Sequence, residues 1–507
     1  MKRLLYLLLL LPLGLNAQNM YNVSSFLDNE LIGTARYVGM GGAMSALGAD
    51  LSTMGTNPAG MAMYRSNDYS FTVGADFKFN DATYEETTIS TDKANIFVGN
   101  TALVISLERN ADYLKYLNFG VGYRRKNNLA GVFEMGGASN GYSQQYVIDA
   151  LYKNSNNPFD FTNLKSWMYT GLNYNWLALL AADAGLYDEK AENFLTYPDT
   201  TLVWQPDELA FYEETRGGVN VVDFNLSANI CDRVYLGATV SASLVDYNKY
   251  TEYRESDAWG DIYILENDKY LTGRGFDIKL GAIFRPFKYS PFKIGLSAHT
   301  PTWYSFREYS SATITDPNGK AYTTTSSDFF GELLSVRNSF RTPWRFNASM
   351  AYTFGSHFAL NAEYEYTDYA TSKYTSRGRV EKAQNEEIQY NLKAQHTVRV
   401  GAEINADGFA VRAGYNYITA PFATDAYKYI YNSSVADTST EYMNRFGKNV
   451  VTAGLGWRDE ILYFDLAYKL ELQKMEFYPF YDMDVVNPGA TVNYMNHSII
   501  ATLGIRL

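Results

Sequence analysis

The residues able to do chemistry are few, and they do not converge. The four histidines are His299, His357, His396 and His497. His299 falls in mid-segment on a polar face, His357 opens another segment, and His396 and His497 lie near the far ends of theirs. A hydrolase needs a nucleophile or activated water beside histidine and carboxylate, so this scatter argues against an enzyme. It argues equally against a His-ligated metal and a bis-His haem, while leaving a Tyr haem ligand open. The run Gly39-Met40-Gly41-Gly42 has the look of a nucleotide loop. It follows no strand and lacks the Lys-Ser/Thr or acidic partner that phosphate binding needs. Arg399, Glu403, Arg412 and Asp465 mix signs and read as an ion-pair network, not as an acid/base pair. No cofactor is expected.

The elements carrying these residues follow from composition and period. The chain has 507 residues, 46% hydrophobic and 16% aromatic, with 44 Tyr. That is too apolar for disorder. Residues 1–17 read as a signal peptide: Lys2 and Arg3, an apolar run, then Leu15-Asn16-Ala17, with Gln18 left first. Beyond it no apolar run is long enough for a transmembrane helix. The single cysteine, Cys231, excludes an internal disulfide. The net charge of -12 argues against a nucleic-acid partner.

Period two dominates from residue 68 to the last residue. Tyr69, Phe71, Val73, Ala75 and Phe77 oppose Thr72, Asp76 and Lys78; Leu462, Phe464, Leu466 and Tyr468 oppose Asp465, Lys469 and Glu471. A wholly apolar face at this period marks a strand in contact with an apolar phase. About fourteen such strands lie near 68–79, 95–108, 116–135, 215–231, 233–252, 273–287, 291–308, 340–354, 357–370, 393–405, 408–419, 447–458, 461–472 and 496–507. Short turns alternate with long loops, expected at 81–94, 136–214, 253–272, 309–339, 371–392, 420–446 and 473–495. Even strand number and alternating loop length are the bacterial outer-membrane pattern. A soluble sandwich would hide its apolar face, whereas here that face carries Tyr and Trp near strand ends, as an interfacial girdle does.

A barrel of about fourteen strands leaks unless it is filled. Residues 18–66 do not alternate, and within them Gly33 to Met63 is rich in Gly and Met. Glycine lets backbone pack in a narrow bore, and Met suits an adaptable apolar surface. The segment is expected to be a hatch, followed by a barrel over 67–507 with an extracellular insert at 136–214.

Gly33-Thr34-Ala35-Arg36, Gly39-Met40-Gly41-Gly42-Ala43 and Asn57-Pro58-Ala59-Gly60 resemble the hatch signature of the FadL/TodX-type outer-membrane transporters of long-chain fatty acids and other hydrophobic compounds. Thr342-Pro343-Trp344-Arg345-Phe346, Arg399-Val400-Gly401-Ala402-Glu403 and Val411-Arg412-Ala413-Gly414-Tyr415 agree in order. The resemblance covers essentially the whole mature chain. It implies a plugged, transmembrane, antiparallel β-barrel in the bacterial outer membrane. It also implies passive transport of a hydrophobic small molecule, with capture by extracellular loops, hatch rearrangement and lateral exit. Gly39, Gly41, Gly42, Asn57, Pro58 and Ala59 would carry the hatch. Trp176, Leu179 and Leu180, on a helical pattern inside the insert, would make a substrate groove. The family kinks its third strand to open the wall, which points to Gly120, Gly122, Gly136 and Gly137 as the gate. The insert's length departs from the family pattern. Expected partners are the ligand, outer-membrane lipid and lipopolysaccharide, and the barrel-assembly machinery, with the protein a monomer. A general diffusion porin and a haemin-binding receptor stand as alternatives.

Overall fold

The computed structural model describes residues 21, 30–109, 111–153, 175–196, 203–325, 334–376, 379–380, 382–428, 430, 437–481 and 488–507. The expected signal peptide, most of 18–29 and parts of the insert (154–174 and 197–202) lie outside them.

Fourteen antiparallel strands close into a barrel. They are β1 Asp68–Tyr84, β2 Thr87–Glu108, β3 Leu114–Asn128 continued by Gly131–Ala138, β4 Glu208–Ile230 and β5 Val234–Asp257. Next come β6 Gly260–Phe284, β7 Lys293–His299 continued by Trp303–Thr315, β8 Leu334–Arg341 continued by Arg345–Phe354, and β9 Phe358–Asp368 continued by Lys373–Ser376. The last five are β10 Ala394–Ala406, β11 Phe409–Ile418, β12 Tyr442–Arg458, β13 Leu462–Tyr478 and β14 Ala490–Arg506. Closure is made by β1 on β14, in register from Asp68↔Arg506 to Thr83↔Thr491. Closing the sheet removes its edges and satisfies the backbone internally, which a strand in lipid requires.

The burial pattern is that of a barrel in a bilayer. On β1 the exposed side chains are Tyr69, Phe71, Val73, Phe77 and Phe79, while Ser70, Thr72 and Asp76 are buried. Apolar groups face out and polar groups face the lumen. The outward apolar belt has an upper limit. On β5 it ends at Leu244, and the next outward residues, Asp246 and Asn248, are exposed and polar. The strand nevertheless continues to Asp257. The stretches 81–94 and 253–272, expected as loops, are therefore strand: β1 and β2 meet at a two-residue turn, as do β5 and β6. Once a strand leaves lipid its outer face no longer needs apolar residues, so the alternation fades while the ladder continues.

The N-terminal segment lies inside the barrel. Helix α1 (Ala35–Gly39) packs on β11 to β14. Two 3-10 turns follow, Leu51–Gly55 and Pro58–Met63. Each element starts on a side-chain cap. Thr34 accepts from Tyr37 N–H, Asp50 from Ser52 N–H, and Asn57 from Ala59 N–H, and each such cap is worth about 1 kcal/mol. At the opposite end, α2 (Gln145–Lys153) and α3 (Trp176–Asp183) pack on the extensions of the strands. This layer caps that end of the barrel and has its own apolar core.

Candidate ligand cavity and wall gap

The N-terminal segment is pinned to the wall by charge and by backbone contact. Arg36 pairs with Glu403 (2.9 Å), Glu403 with Arg412 (2.6 Å) and Arg412 with Asp465 (2.6 Å). Three of the four lumen charges singled out above, Glu403, Arg412 and Asp465, thus form one chain that includes the segment. Arg399 pairs instead with Glu363 (2.7 Å), whose other oxygen accepts from Ser45 N–H. His299 contacts the carbonyl of Thr56 at 2.6 Å. His396 and His497 each meet a tyrosine, Tyr364 and Tyr468, on the outer face.

The hatch-signature residues sit where the segment touches the wall. A β-carbon on Gly39 would lie 3.1 Å from Gly454 Cα, and one on Gly41 would lie 3.2 Å from Gly414 Cα. Gly41 and Gly42 also take positive φ, 63° and 75°. Glycine of the segment therefore meets glycine of the wall, and only that pairing lets the two backbones close. Asn57 donates from Nδ2 to the carbonyl of Ser45 (2.8 Å). Pro58 and Ala59 are buried and lie against Gly237 of β5.

Above this floor β3 leaves its partner. β2 pairs with β3 only from Asn100↔Arg124 to Glu108↔Tyr116. Beyond a bulge at Arg125/Asn127 and a break at Leu129–Ala130, the upper part of β3 pairs with β4 alone. The stretch Thr87 to Val98 of β2 keeps only β1 as a partner, and Ile96 is 83% exposed. Side chains on the inward face of β1 hold the displaced strand. Lys78 Nζ donates to the carbonyls of Asn128 (2.7 Å) and Ala130 (2.9 Å), and Asn80 Nδ2 donates to that of Val132 (2.8 Å). Asn128 is the junction. Its N–H donates to Glu30 (2.8 Å), its Nδ2 to Asp76 (2.8 Å), and its Oδ1 accepts from Asn95 (3.0 Å). One residue of the wall break thus touches the N-terminal segment, β1 and β2. Burial raises the carboxyl of Glu30 above its ordinary range, with Lys78 opposing it.

The four glycines expected at a gate bracket this break. Gly120 and Gly122 lie in the paired part of β3, where added β-carbons would meet Met54 of the N-terminal segment. Gly136 and Gly137 lie past the break, paired with Ala210 and Leu209. The break itself falls at Leu129–Ala130.

A cavity of about 270 Å³ lies behind the break and is lined by Asn127 to Phe133. An apolar cavity of about 150 Å³ already holds benzene, so this space suits a small aromatic compound or part of a chain. Its cap side is apolar: Phe133 and Phe477 stand 4.8 Å apart, with Met475 in the same core. Its floor side is polar, where Glu30, Lys448 and Glu471 also border the space around Tyr37. Its charges are mutually compensated. Lys249 lies between Glu213 (2.8 Å) and Glu441 (3.0 Å), and Lys448 pairs with Glu471 (2.9 Å). Tyr21 reaches the cavity, stacked on Phe422 at 5.5 Å.

Trp176, Leu179 and Leu180 are elsewhere. All three are buried in the cap core, 3%, 1% and 0% exposed, and none lines the cavity. The expected open groove is thus filled here, because α3 is apolar on every side and such a helix buries itself. Sequence reasoning missed Lys78, Asn128, Glu30 and Tyr21. Their only signal was the doublet Asn127-Asn128, at which the alternation of β3 stops.

No protein-family model matches the chain, and no curated protein matches it by sequence. Solved structures do match in fold. A Pseudomonas aeruginosa FadL homologue superposes over 94% of this chain and 99% of its own, with TM-score 0.53 and 12% identity. The P. putida toluene transporter TodX superposes over 94% and 99%, with TM-score 0.51 and 11% identity. The fold is therefore FadL-like.

Proposed function

We propose that the protein carries hydrophobic small molecules, of the long-chain fatty acid or hydrocarbon type, passively across the outer membrane. One observation carries this reading. The residues that line the cavity, Asn127 to Phe133, are the same residues at which β3 leaves its ladder with β2. A ligand held there sits beside a lateral route and need not cross the plugged bore. In this reading the N-terminal segment is the hatch, and the cap delivers ligand through its apolar core. Gly120, Gly122, Gly136 and Gly137 flank the gate, and movement of Trp176, Leu179 and Leu180 within the cap would open the entry path. The two solved neighbours, a FadL homologue and a toluene transporter, support the same class.

A porin needs an open lumen, and residues 30–64 occupy this one. A haemin receptor gains no histidine ligand at the cavity, because none of the four histidines lines it. The test is mass spectrometry of small molecules that co-purify from the native membrane, combined with uptake into proteoliposomes. The reading expects an apolar or amphipathic compound and its saturable transfer into the bilayer. Sugar permeation with no such compound would overturn it.

A further inference from the structure

The periplasmic face holds a second cavity, of about 380 Å³, beneath the N-terminal segment. Four cations line it, Arg36, Arg65, Arg285 and Lys293, and no carboxylate is among its lining residues. Two of the four have counter-ions: Arg36 has Glu403 (2.9 Å), and Arg65 has Asp232 (3.2 Å). The other two make neutral contacts. Lys293 Nζ donates to the carbonyl of Leu47 (3.0 Å) and lies 3.4 Å from Met63 Sδ. Arg285 donates through Nη1 to the carbonyl of Asp232 (3.3 Å), and its Nε is buried with no hydrogen-bond partner. A buried guanidinium donor without a partner calls for an acceptor. A guanidinium fork beside an ammonium matches a tetrahedral oxyanion.

The level of the cavity in the membrane narrows the ligand. Phe287 and Tyr289, on the same turn as Arg285, are 61% and 92% exposed. Exposed aromatic side chains at a barrel rim mark the headgroup layer. We propose that this vestibule is a binding site for a phosphate-type oxyanion, held by Arg285 and Lys293. The occupant lies against the Leu47–Ala49 turn, so it bridges the wall and the N-terminal segment. The oxyanion is either free phosphate or the headgroup of an inner-leaflet phospholipid. The inference does not depend on what the cavity above carries.

The test uses the full mature chain in neutral detergent at low ionic strength. Binding of inorganic phosphate is followed by calorimetry. Retention of phosphatidylglycerol, against phosphatidylethanolamine, is followed by native mass spectrometry. Arg285→Gln and Lys293→Gln should each weaken phosphate binding tenfold or more. Lys288→Gln, at an exposed position outside the cavity lining, should leave it unchanged. Heat-modifiable migration on gels checks that each variant keeps its closed barrel. A phosphatidylglycerol adduct that phosphate displaces assigns the headgroup; phosphate binding without an adduct assigns the free anion. No binding of either by the wild type, or equal binding in both glutamine variants, overturns the site.

Discussion

The ammonium of Lys78 lies 2.7 Å from the carbonyl oxygen of Asn128. The lysine belongs to β1 and the asparagine to β3, two strands separated in the barrel by β2. The contact therefore crosses a neighbour and holds β3 inward, off the wall. Replacing Lys78 by Met leaves the carbonyls of Asn128 and Ala130 without their donor, at a cost of roughly 1–3 kcal/mol. Hydrogen exchange across 125–133 should quicken, with little change in β12 to β14. Unchanged protection there would mean that Lys78 does not set the path of the strand.

The ion-pair chain from Arg36 to Asp465 predicts a leak. Glu403 is shared by Arg36 and Arg412, so Glu403→Gln removes the counter-ion of Arg36 and leaves Arg412 with Asp465 alone. Breaking a buried pair on one side typically costs about 3–5 kcal/mol. In planar bilayers the variant should show conductance bursts that the wild type lacks, and a quiet recording would show that the segment is seated without this chain.

Glycine contact between segment and wall predicts a steric failure. Gly41 has φ 63° and lies against Gly414. Gly41→Val adds a left-handed backbone penalty of about 1–2 kcal/mol to the overlap with the wall. The midpoint of heat modification should fall, and Ala49→Gly, at a position with φ 53°, should raise it slightly. Equal midpoints in wild type and Gly41→Val would remove the close-approach argument.

The cap carries a pH dependence. Glu255 lies on β5 beyond Leu244, outside the apolar belt, and it is fully buried. It accepts from Ser143 Oγ (2.7 Å), Gln144 N–H (2.6 Å) and Tyr253 OH (2.7 Å). Burial, the largest influence, pushes its carboxyl up to about 7, against those hydrogen bonds. A raised carboxyl favours the folded cap while protonated. The stabilisation is thus complete below the ordinary 4.5 and is lost as pH rises through about 7. Limited proteolysis at 139–153 should speed up between pH 4.5 and 8 in the wild type and stay level in Glu255→Gln. A parallel rise in both would place the titrating group elsewhere.

The barrel was legible because lipid penalises polar groups on an outward face, so Tyr69, Phe71 and Val73 had to alternate with Ser70 and Thr72. The same logic made the plugging segment visible as the stretch that failed to alternate. Legibility stopped where lipid stops: 81–94 and 253–272 were expected as loops, but they are strand whose outer face is polar and whose inner face, with Tyr84, Tyr253, Tyr263 and Leu265, joins the cap core. The wall break was not legible either. Leu129–Ala130 contains neither Gly nor Pro, and its path is held by Lys78, fifty positions away in sequence from Asn128. The apolar run at Trp176 fits a surface groove or a core equally well as sequence, and only the packing of α3 among Phe194, Trp204 and Phe211 decides between them.

The lateral route is tested most directly by tying β2 to β3 at the break. Asn95 and Asn128 already touch through their side chains, at 3.0 Å. Cysteines at both positions, with the exposed Cys231 replaced by Ser, can be bridged by a short reducible thiol crosslinker. Transfer of a hydrophobic ligand into proteoliposomes is then measured before bridging, after bridging and after reduction. The account predicts that transfer stops on bridging and returns on reduction. Transfer that continues at the same rate through the bridged protein would contradict it.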